Sequence, residues 1–282
     1  MTKPSRTAWA AAVHRAAHQI LEKGSIFADP LALRILGEEA ETITRESEER
    51  MSGRRMRLFV ACRSRFAEDA LAAAIENGVR QLVVLGAGLD TFAYRNPYSD
   101  RLHVFEVDHP ATQDWKRQRL QDAGISVSSS LTFIPVDFEQ QTLATEMAAN
   151  SSFDPLAQTF FAWLGVVPYL TEEAIWSTLD FVASLPGGAH VVFDYSDPPD
   201  TLPPDEKALH EERGTRVSAL GEPWITHFTA DELRTKLATL GFRDVEDLGP
   251  SEIRARYLPH RPGITRDNGG HYLRATTIRD RS

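Results

Sequence analysis

The pattern of apolar residues changes near residue 80. Before that point apolar residues recur every three or four positions, which predicts helices. Beyond it, short apolar runs such as residues 82–85 and 102–107 alternate with helical patterns. The run at residues 82–85 has no polar break, which is typical of a strand that is buried on both faces of a parallel sheet. The alternation therefore predicts an α/β domain that is preceded by helices.

Seven strands are predicted, at residues 81–85, 102–107, 131–136, 159–167, 189–195, 243–248 and 271–278. Right-handed crossovers between them give a doubly wound, mostly parallel sheet. We predict no helix between the last two strands, so one strand near the edge is expected to run antiparallel. A proline-rich start marks residues 196–228, called the lid segment below, as an insertion too long for an ordinary connection.

The predicted organisation is a single domain over residues 1–282. Residues 1–56 form an N-terminal helical cap, and residues 57–195 form the core that carries the first five strands. The lid segment follows, and residues 229–282 complete the sheet.

A glycine turn, Gly86-Ala87-Gly88, follows the first strand, and Asp108 closes the second. Glycine lets a ligand approach bare backbone, and a strand-end carboxylate accepts hydrogen bonds from ribose hydroxyls. The same pair also occurs in α/β domains without such a ligand. Thr91 replaces the third glycine of the dinucleotide fingerprint. This disfavours NAD and favours a nucleoside without a pyrophosphate, such as S-adenosylmethionine.

Two further residues lie near predicted strand ends. Asp137 follows the third strand, and Trp163 lies near the end of the fourth. Doubly wound sheets bind ligands at the carboxyl ends of their strands. Together with Gly86 and Asp108, these residues predict one ligand crevice at the carboxyl ends of four strands.

The composition of the chain limits the classes of partner that we expect. The chain has 282 residues, a net charge of −9 and one cysteine, Cys62. The acidic balance argues against nucleic acid, and a lone cysteine excludes an intrachain disulfide or a metal site built on cysteines. No apolar run approaches the roughly 20 residues that span a bilayer. His14 and Arg15 interrupt the Ala-rich N-terminal stretch, so no signal peptide is predicted. We expect a cytoplasmic protein without a membrane partner; its oligomeric state does not follow from the sequence.

Four stretches of sequence resemble one family: ACRSRFAEDAL, VVLGAGLDTFAYR, FEVDHPATQDWKRQRL and IPVDFEQ. They are similar to the leucine carboxyl methyltransferase family, and more narrowly to its bacterial branch that includes polyketide carboxyl O-methyltransferases. The resemblance runs from about Ser5 to Ile278. It implies the class I (Rossmann-like) methyltransferase fold, S-adenosylmethionine as cofactor and methyl transfer to a carboxylate or hydroxyl of a small molecule.

The resemblance also implies individual roles. Arg63 would pair with the methionine carboxylate of the cofactor, while Asp137 and Phe138 would read the adenine. Many members carry a glutamate where this chain has Leu164, which leaves the contact to the methionine amine unassigned. Arg95 is expected to be structural, as an ion-pair partner of Asp90. The predicted cofactor-binding residues are Arg63, Gly86, Ala87, Gly88, Asp108, His109, Asp137, Phe138 and Trp163.

The acceptor decides whether a general base is needed. A carboxylate is already ionised at neutral pH, whereas a hydroxyl or phenol has to lose its proton. Tyr195 and His227 are the candidate catalytic residues, and His109 is either a third candidate or a helix cap. Aromatic residues near the lid segment, such as Trp224, suggest an aromatic or apolar acceptor. Two alternatives stay open: an NAD-dependent oxidoreductase, and a non-catalytic protein that binds S-adenosylmethionine.

Overall fold

The computed structural model describes residues 5–42, 46, 51–137, 140–219, 221–259 and 269–278. Within them seven strands form one sheet in the order β3-β2-β1-β4-β5-β7-β6. Only β7 runs antiparallel to its neighbours, β5 and β6. The predicted mostly parallel sheet is therefore confirmed. The strands are β1 (Gln81–Leu85), β2 (His103–Asp108), β3 (Leu131–Pro135), β4 (Thr159–Trp163), β5 (Ala189–Ser196), β6 (Arg243–Leu248) and β7 (Gly270–Thr276).

Helices begin where the sequence provides caps. Thr171 accepts a hydrogen bond from Ala174 N, and Thr229 forms a capping box with Glu232. In the described residues, none of the helices has the length and apolar character that crossing a membrane requires. The helices are α1 (Arg6–Leu21), α2 (Met51–Glu76), α3 (Phe92–Arg95), α4 (Pro110–Asp122), α5 (Leu143–Ala149), α6 (Glu172–Ser184), α7 (Pro204–Ala219), α8 (Ala230–Thr239) and α9 (Pro250–Tyr257), with 3-10 turns at Arg34–Glu39, Val167–Tyr169 and Pro199–Thr201.

Two local predictions are wrong. Helix α9 lies between β6 and β7, because Pro250 takes the first helical position and Ile253 is buried beneath the helix. Strand β4 ends at Trp163 rather than at residue 167, since Gly165 has a φ of 72° and a 3-10 turn follows it. After Asp29 the chain forms the 3-10 turn Arg34–Glu39, which Gly37 interrupts with a φ of 75°.

The central strand β1 is buried along its whole length. Val83 and Leu85 pack with residues of α6 and α8 on one face of the sheet, and Leu82 and Val84 pack with residues of α2 on the other. Helix α1 packs along α2. This packing brings the start of α1 over the point where β1 ends.

Candidate active site

A cavity of about 840 Å³ lies at the carboxyl ends of β1 to β4. All of the predicted cofactor-binding residues that the structure describes line this cavity. Phe138 lies outside the described residues. The opposite wall comes from α1 and the lid segment, through residues such as Ala11, Glu222 and Ile225. The predicted residues that line the cavity are Arg63, Gly86, Ala87, Gly88, Asp108, His109, Asp137 and Trp163.

The glycine turn presents bare backbone to this cavity. Gly86 and Gly88 have φ values of 65° and 44°, a region that L residues rarely adopt. A Cβ atom on Gly86 would lie 2.5 Å from Cγ2 of Val166, and one on Gly88 would lie 2.9 Å from the Cβ of Ala8. The backbone N–H of Gly86 donates to Val107 O at 2.8 Å. Glycine is thus required at both positions, because neighbouring side chains leave no room for a Cβ atom and because φ is positive.

Asp108 is held by the backbone around it. One carboxylate oxygen accepts from Gly88 N at 2.5 Å, and the other accepts from His109 N at 2.7 Å. Burial raises the pKa of Asp108, and these two hydrogen bonds oppose that rise. A carboxylate offers about four lone-pair sites, so about two of them remain for a ligand.

His109 is the N-cap of α4. Its Nδ1 atom accepts a hydrogen bond from Ala111 N at 3.1 Å. A neutral imidazole whose Nδ1 accepts must carry its proton on Nε2. His109 can therefore donate a hydrogen bond into the cavity, and the capping bond argues against its use as a general base.

Arg63 reaches the cavity from α2 and is locked by a residue of β5. Its Nη1 atom donates to Oδ2 of Asp194 at 2.7 Å. The other Asp194 oxygen accepts from Gly165 N at 2.5 Å. A Cβ atom on Gly165 would lie 2.8 Å from Nη1 of Arg63, so glycine makes room for the guanidinium. Nε of Arg63 is buried without a hydrogen-bond partner in the described part of the chain.

Asp194 and Gly165 were not predicted from the sequence. The only signal for Asp194 is a carboxylate that interrupts the apolar run of the fifth strand. Gly165 falls inside the stretch predicted as the fourth strand. Leu164 beside it lines the cavity, so the position of the family glutamate contributes an apolar side chain to the wall.

Asp137 and Trp163 lie at the strand ends predicted for them. The carboxylate of Asp137 accepts from Nε2 of Gln140 at 2.9 Å. Trp163 is 2% exposed and meets Phe193 edge to face at 6.2 Å between ring centroids. Trp163 is thus a rigid part of the cavity floor.

The structure does not bring Tyr195 and His227 to the cavity. The Tyr195 hydroxyl donates to Asp247 at 2.6 Å, and burial raises its pKa well above the ordinary value. Tyr195 packs with Phe193 on one face of β5, while Asp194 points to the other face, towards Arg63. His227 Nε2 lies 3.0 Å from Nε2 of His210. Their catalytic roles remain predictions that the geometry does not favour.

Arg95 is structural, but its partner differs from the prediction. It pairs with Glu68 and lies 3.4 Å from a carboxylate oxygen of Asp29, rather than forming an ion pair with Asp90. Thr91, at the third-glycine position, donates its hydroxyl to Asp29 at 2.7 Å. Thr91, which replaces the third glycine of the dinucleotide fingerprint, is therefore part of a buried hydrogen-bond network.

Comparison with known proteins decides the family. Residues 8–183 match the model of the leucine carboxyl methyltransferase family. The chain belongs to the leucine carboxyl methyltransferase family. It is accordingly an S-adenosylmethionine-dependent methyltransferase with S-adenosylmethionine as its cofactor.

Two curated relatives agree with this family. The protein named "Putative S-adenosyl-L-methionine-dependent methyltransferase YktD" of Bacillus subtilis is 34% identical over 76% of this chain and 70% of its own length. A protein from Mycolicibacterium smegmatis with a similar name is 34% identical over 65% of this chain. The match spans 58% of the length of that mycobacterial relative.

Solved structures share the fold. A possible exported protein from Bordetella parapertussis has a TM-score of 0.52 at 14% identity, and the match covers 97% of this chain and 96% of the other. A structure from Nostoc punctiforme, described as a putative O-methyltransferase, has a TM-score of 0.50 at 12% identity. That match covers 94% of this chain and 72% of the other. The protein therefore has the class I methyltransferase fold that the resemblance implies.

Proposed function

We propose that the protein transfers the methyl group of S-adenosylmethionine to a carboxylate or hydroxyl oxygen of a small molecule, such as a polyketide or another secondary metabolite. One observation carries this proposal. A single cavity of about 840 Å³ joins the glycine turn and Asp108 to a second wall built by α1 and the lid segment. Ligand sites commonly range from about 300 to 1,000 Å³. The cavity therefore has room for an acceptor beside the cofactor.

The residues of the first wall suit S-adenosylmethionine. Gly86 and Gly88 line the cavity in a positive-φ turn, which fits a ligand that packs on backbone. We assign the ribose hydroxyls to Asp108 and the adenine to Asp137, and the family resemblance adds Phe138 to the residues that read the adenine. Arg63 lines the cavity, and its guanidinium, whose Nε has no hydrogen-bond partner among the described residues, suits the methionine carboxylate. These assignments rest on the residues' positions and on the family resemblance.

The chain contributes mainly orientation and exclusion of water. The bound cofactor supplies a methyl group that its sulfonium already activates. Among the described residues, His109 is the only histidine that lines the cavity, and its Nδ1 is engaged in capping. This favours an acceptor that arrives ionised, since a carboxylate needs no base. A phenol would depend on one of the cavity carboxylates, such as Glu173 or Glu222.

Calorimetry and a transfer assay test the proposal. The protein should bind S-adenosylhomocysteine and should not bind NAD. A screen with methyl-labelled S-adenosylmethionine against small carboxylic acids and phenols should label carboxylic acids first. Tight NAD binding without binding of S-adenosylhomocysteine would overturn the proposed function.

One alternative function is supported by a separate observation. Leu164 replaces the family glutamate, so a protein that binds the cofactor without turnover is the second candidate. Cofactor binding with no labelled product from any acceptor in the screen would favour it.

A further inference from the structure

Position 164, at the end of β4, faces helix α2. Leu164 stands where many family members carry a glutamate, and it lines the cavity. It packs against the apolar cluster that includes Ala67 and Leu71 of α2. Gly165, the next residue, lies against the same helix, because a Cβ atom there would lie 2.8 Å from Nη1 of Arg63. A glutamate at position 164 would therefore direct its carboxylate towards α2, beside Arg63.

Helix α2 supplies a carboxylate to the cavity from the opposite side. Among its described residues that line the cavity, Glu68 alone is acidic, and the others are Arg63, Ser64, Ala67 and Leu71. Glu68 follows Arg63 by five residues, which is about 7.5 Å along the helix axis. The amino and carboxylate groups of methionine are attached to one carbon atom. The residue that binds the amino group must therefore lie near Arg63, and Glu68 meets this condition.

The carboxylate of Glu68 is held in place by Arg95 and can still accept further hydrogen bonds. One of its oxygens accepts from Nη1 of Arg95 at 2.9 Å, and the other accepts from Nη2. A carboxylate offers about four lone-pair sites, so about two of them remain. The Glu68 side chain is 28% exposed, and the residue lines the cavity. Arg95 thus orients the carboxylate without using all of its acceptor sites.

Arg95 does not fully compensate the charge of Glu68, because it is shared. Its Nε atom also lies 3.4 Å from a carboxylate oxygen of Asp29. Burial raises the pKa of Glu68, the ion pair with Arg95 opposes that rise, and the charges of Asp90 and Asp29 add to it. The pKa of Glu68 is raised on balance. A second cation beside this carboxylate would therefore stabilise its ionised form.

We propose that Glu68 binds the amino group of the methionine part of S-adenosylmethionine, in place of the family glutamate that Leu164 replaces. An α-amino group is largely protonated at pH 7, and the ammonium donates up to three hydrogen bonds to acceptors such as a carboxylate. Asp90 also lines the cavity, but it follows the glycine turn and accepts from Phe92 N at 2.8 Å, at the start of α3. The inference rests on the proposed binding of the methionine carboxylate by Arg63.

Calorimetry of the full chain with two ligands tests this assignment. One ligand is S-adenosylhomocysteine, and the other is its deamino analogue, in which hydrogen replaces the amino group. The wild type should bind S-adenosylhomocysteine at least about tenfold more tightly than the analogue, the scale of a hydrogen bond between charged groups. Glu68→Gln should reduce this ratio to about threefold or less, because glutamine keeps the shape and loses the charge. The ratio decides, since damage from the lost ion pair with Arg95 weakens the binding of both ligands alike.

Asp69→Asn is the matched control. Asp69 is the next residue of α2, its side chain is 52% exposed and it pairs with Arg65, so this variant should keep the wild-type ratio. Leu164→Glu in the Glu68→Gln background supplies the family carboxylate and should recover the preference for S-adenosylhomocysteine. If Glu68→Gln does not fold, the double variant Glu68→Gln/Arg95→Gln, which removes both charges of the buried pair, takes its place.

Three results would overturn the role of Glu68: a wild type that does not distinguish the two ligands, equal losses for both ligands in Glu68→Gln, or no recovery with Leu164→Glu. Each of them leaves the proposed function standing, because S-adenosylhomocysteine still binds. Wild-type protein that fails to bind S-adenosylhomocysteine at all contradicts the proposed function itself.

Discussion

The two sides of the cavity are held by different kinds of hydrogen bond. On the glycine side, backbone N–H groups donate to Val107 O and to Asp108. On the lid side, charged side chains make the contacts: Glu222 binds the start of α1, and Asp197, just after β5, binds His271. The bond from Gly86 N to Val107 O joins two backbone groups and does not change with pH, whereas each of these lid-side bonds depends on the ionisation of a side chain. The glycine side is thus preformed, and the lid side is adjustable.

The largest expected effect concerns the anchor of the lid segment. His271 lies between two carboxylates, with Nε2 3.1 Å from Asp197 and Nδ1 2.9 Å from Asp247. Burial acts to lower the pKa of His271, but the hydrogen bonds to Asp197 and Asp247 outweigh it and raise the pKa from 6.5 to about 9. The folded state thus binds this proton more tightly than the unfolded state. The stabilisation is complete below about pH 6.5 and is lost as the pH rises to about 9.

Urea unfolding at pH 6 and at pH 9.5 measures this loss. The wild type should lose up to about 3 kcal/mol more than His271→Gln over that interval. His190→Gln is the control of opposite sign: burial, and then Arg274, lower the pKa of His190 from 6.5 to about 4, so His190 favours folding slightly more as the pH rises above 6. Parallel pH profiles for wild type and His271→Gln would contradict the view that charge anchors the lid segment.

Asp108→Ala tests the glycine side. We expect a loss of S-adenosylhomocysteine affinity of about 1.5–3 kcal/mol, or about 10- to 160-fold, the range for hydrogen bonds to a charged acceptor. The fold should persist, because the strand remains paired through its backbone. Asp122→Ala, at the exposed end of α4, is the calorimetric control. Unchanged affinity in folded Asp108→Ala protein would exclude the ribose role.

The parts that the sequence predicts well are those with a local signal. The run of apolar residues predicts β1, and the residues that follow it or close β2 lie at the cavity by topology alone. The lock of Arg63 on Asp194 has no local signal, because its two residues are 131 positions apart. The prediction of a catalytic role for Tyr195 is not favoured for a related reason: β5 is buried on both faces, so no polar alternation shows which of its side chains face the cavity.

The substitution Arg63→Lys tests the residue at which the two sides of the cavity meet. A lysine keeps the charge but loses the fork that suits a carboxylate. S-adenosylhomocysteine affinity should fall by about tenfold, the scale of one charge-assisted hydrogen bond, and affinity for methylthioadenosine, which lacks the carboxylate, should fall less. Arg65→Lys is the control, since Arg65 is exposed and pairs with Asp69 at 2.7 Å. Equal losses for both ligands would make Arg63 a structural residue that only supports Asp194.

The smallest expected effect is at the contact between the lid segment and α1. The carboxylate of Glu222 accepts from Arg6 N at 2.8 Å, from the Ser5 hydroxyl at 3.0 Å and from the Thr7 hydroxyl. It thereby satisfies backbone donors of the first turn of α1 and places a negative charge at the positive end of the helix.

Glu222→Gln keeps one acceptor oxygen and removes the charge, so we expect a loss of about 0.5–1 kcal/mol in stability. Hydrogen exchange at the first amides of α1 should accelerate, while S-adenosylhomocysteine affinity stays within about twofold, because the glycine side does not depend on this contact. Glu211→Gln, exposed on α7, should leave the exchange unchanged. If α1 exchanges equally in the wild type and Glu222→Gln, charge does not hold this edge of the cavity. The two sides would then be equally preformed.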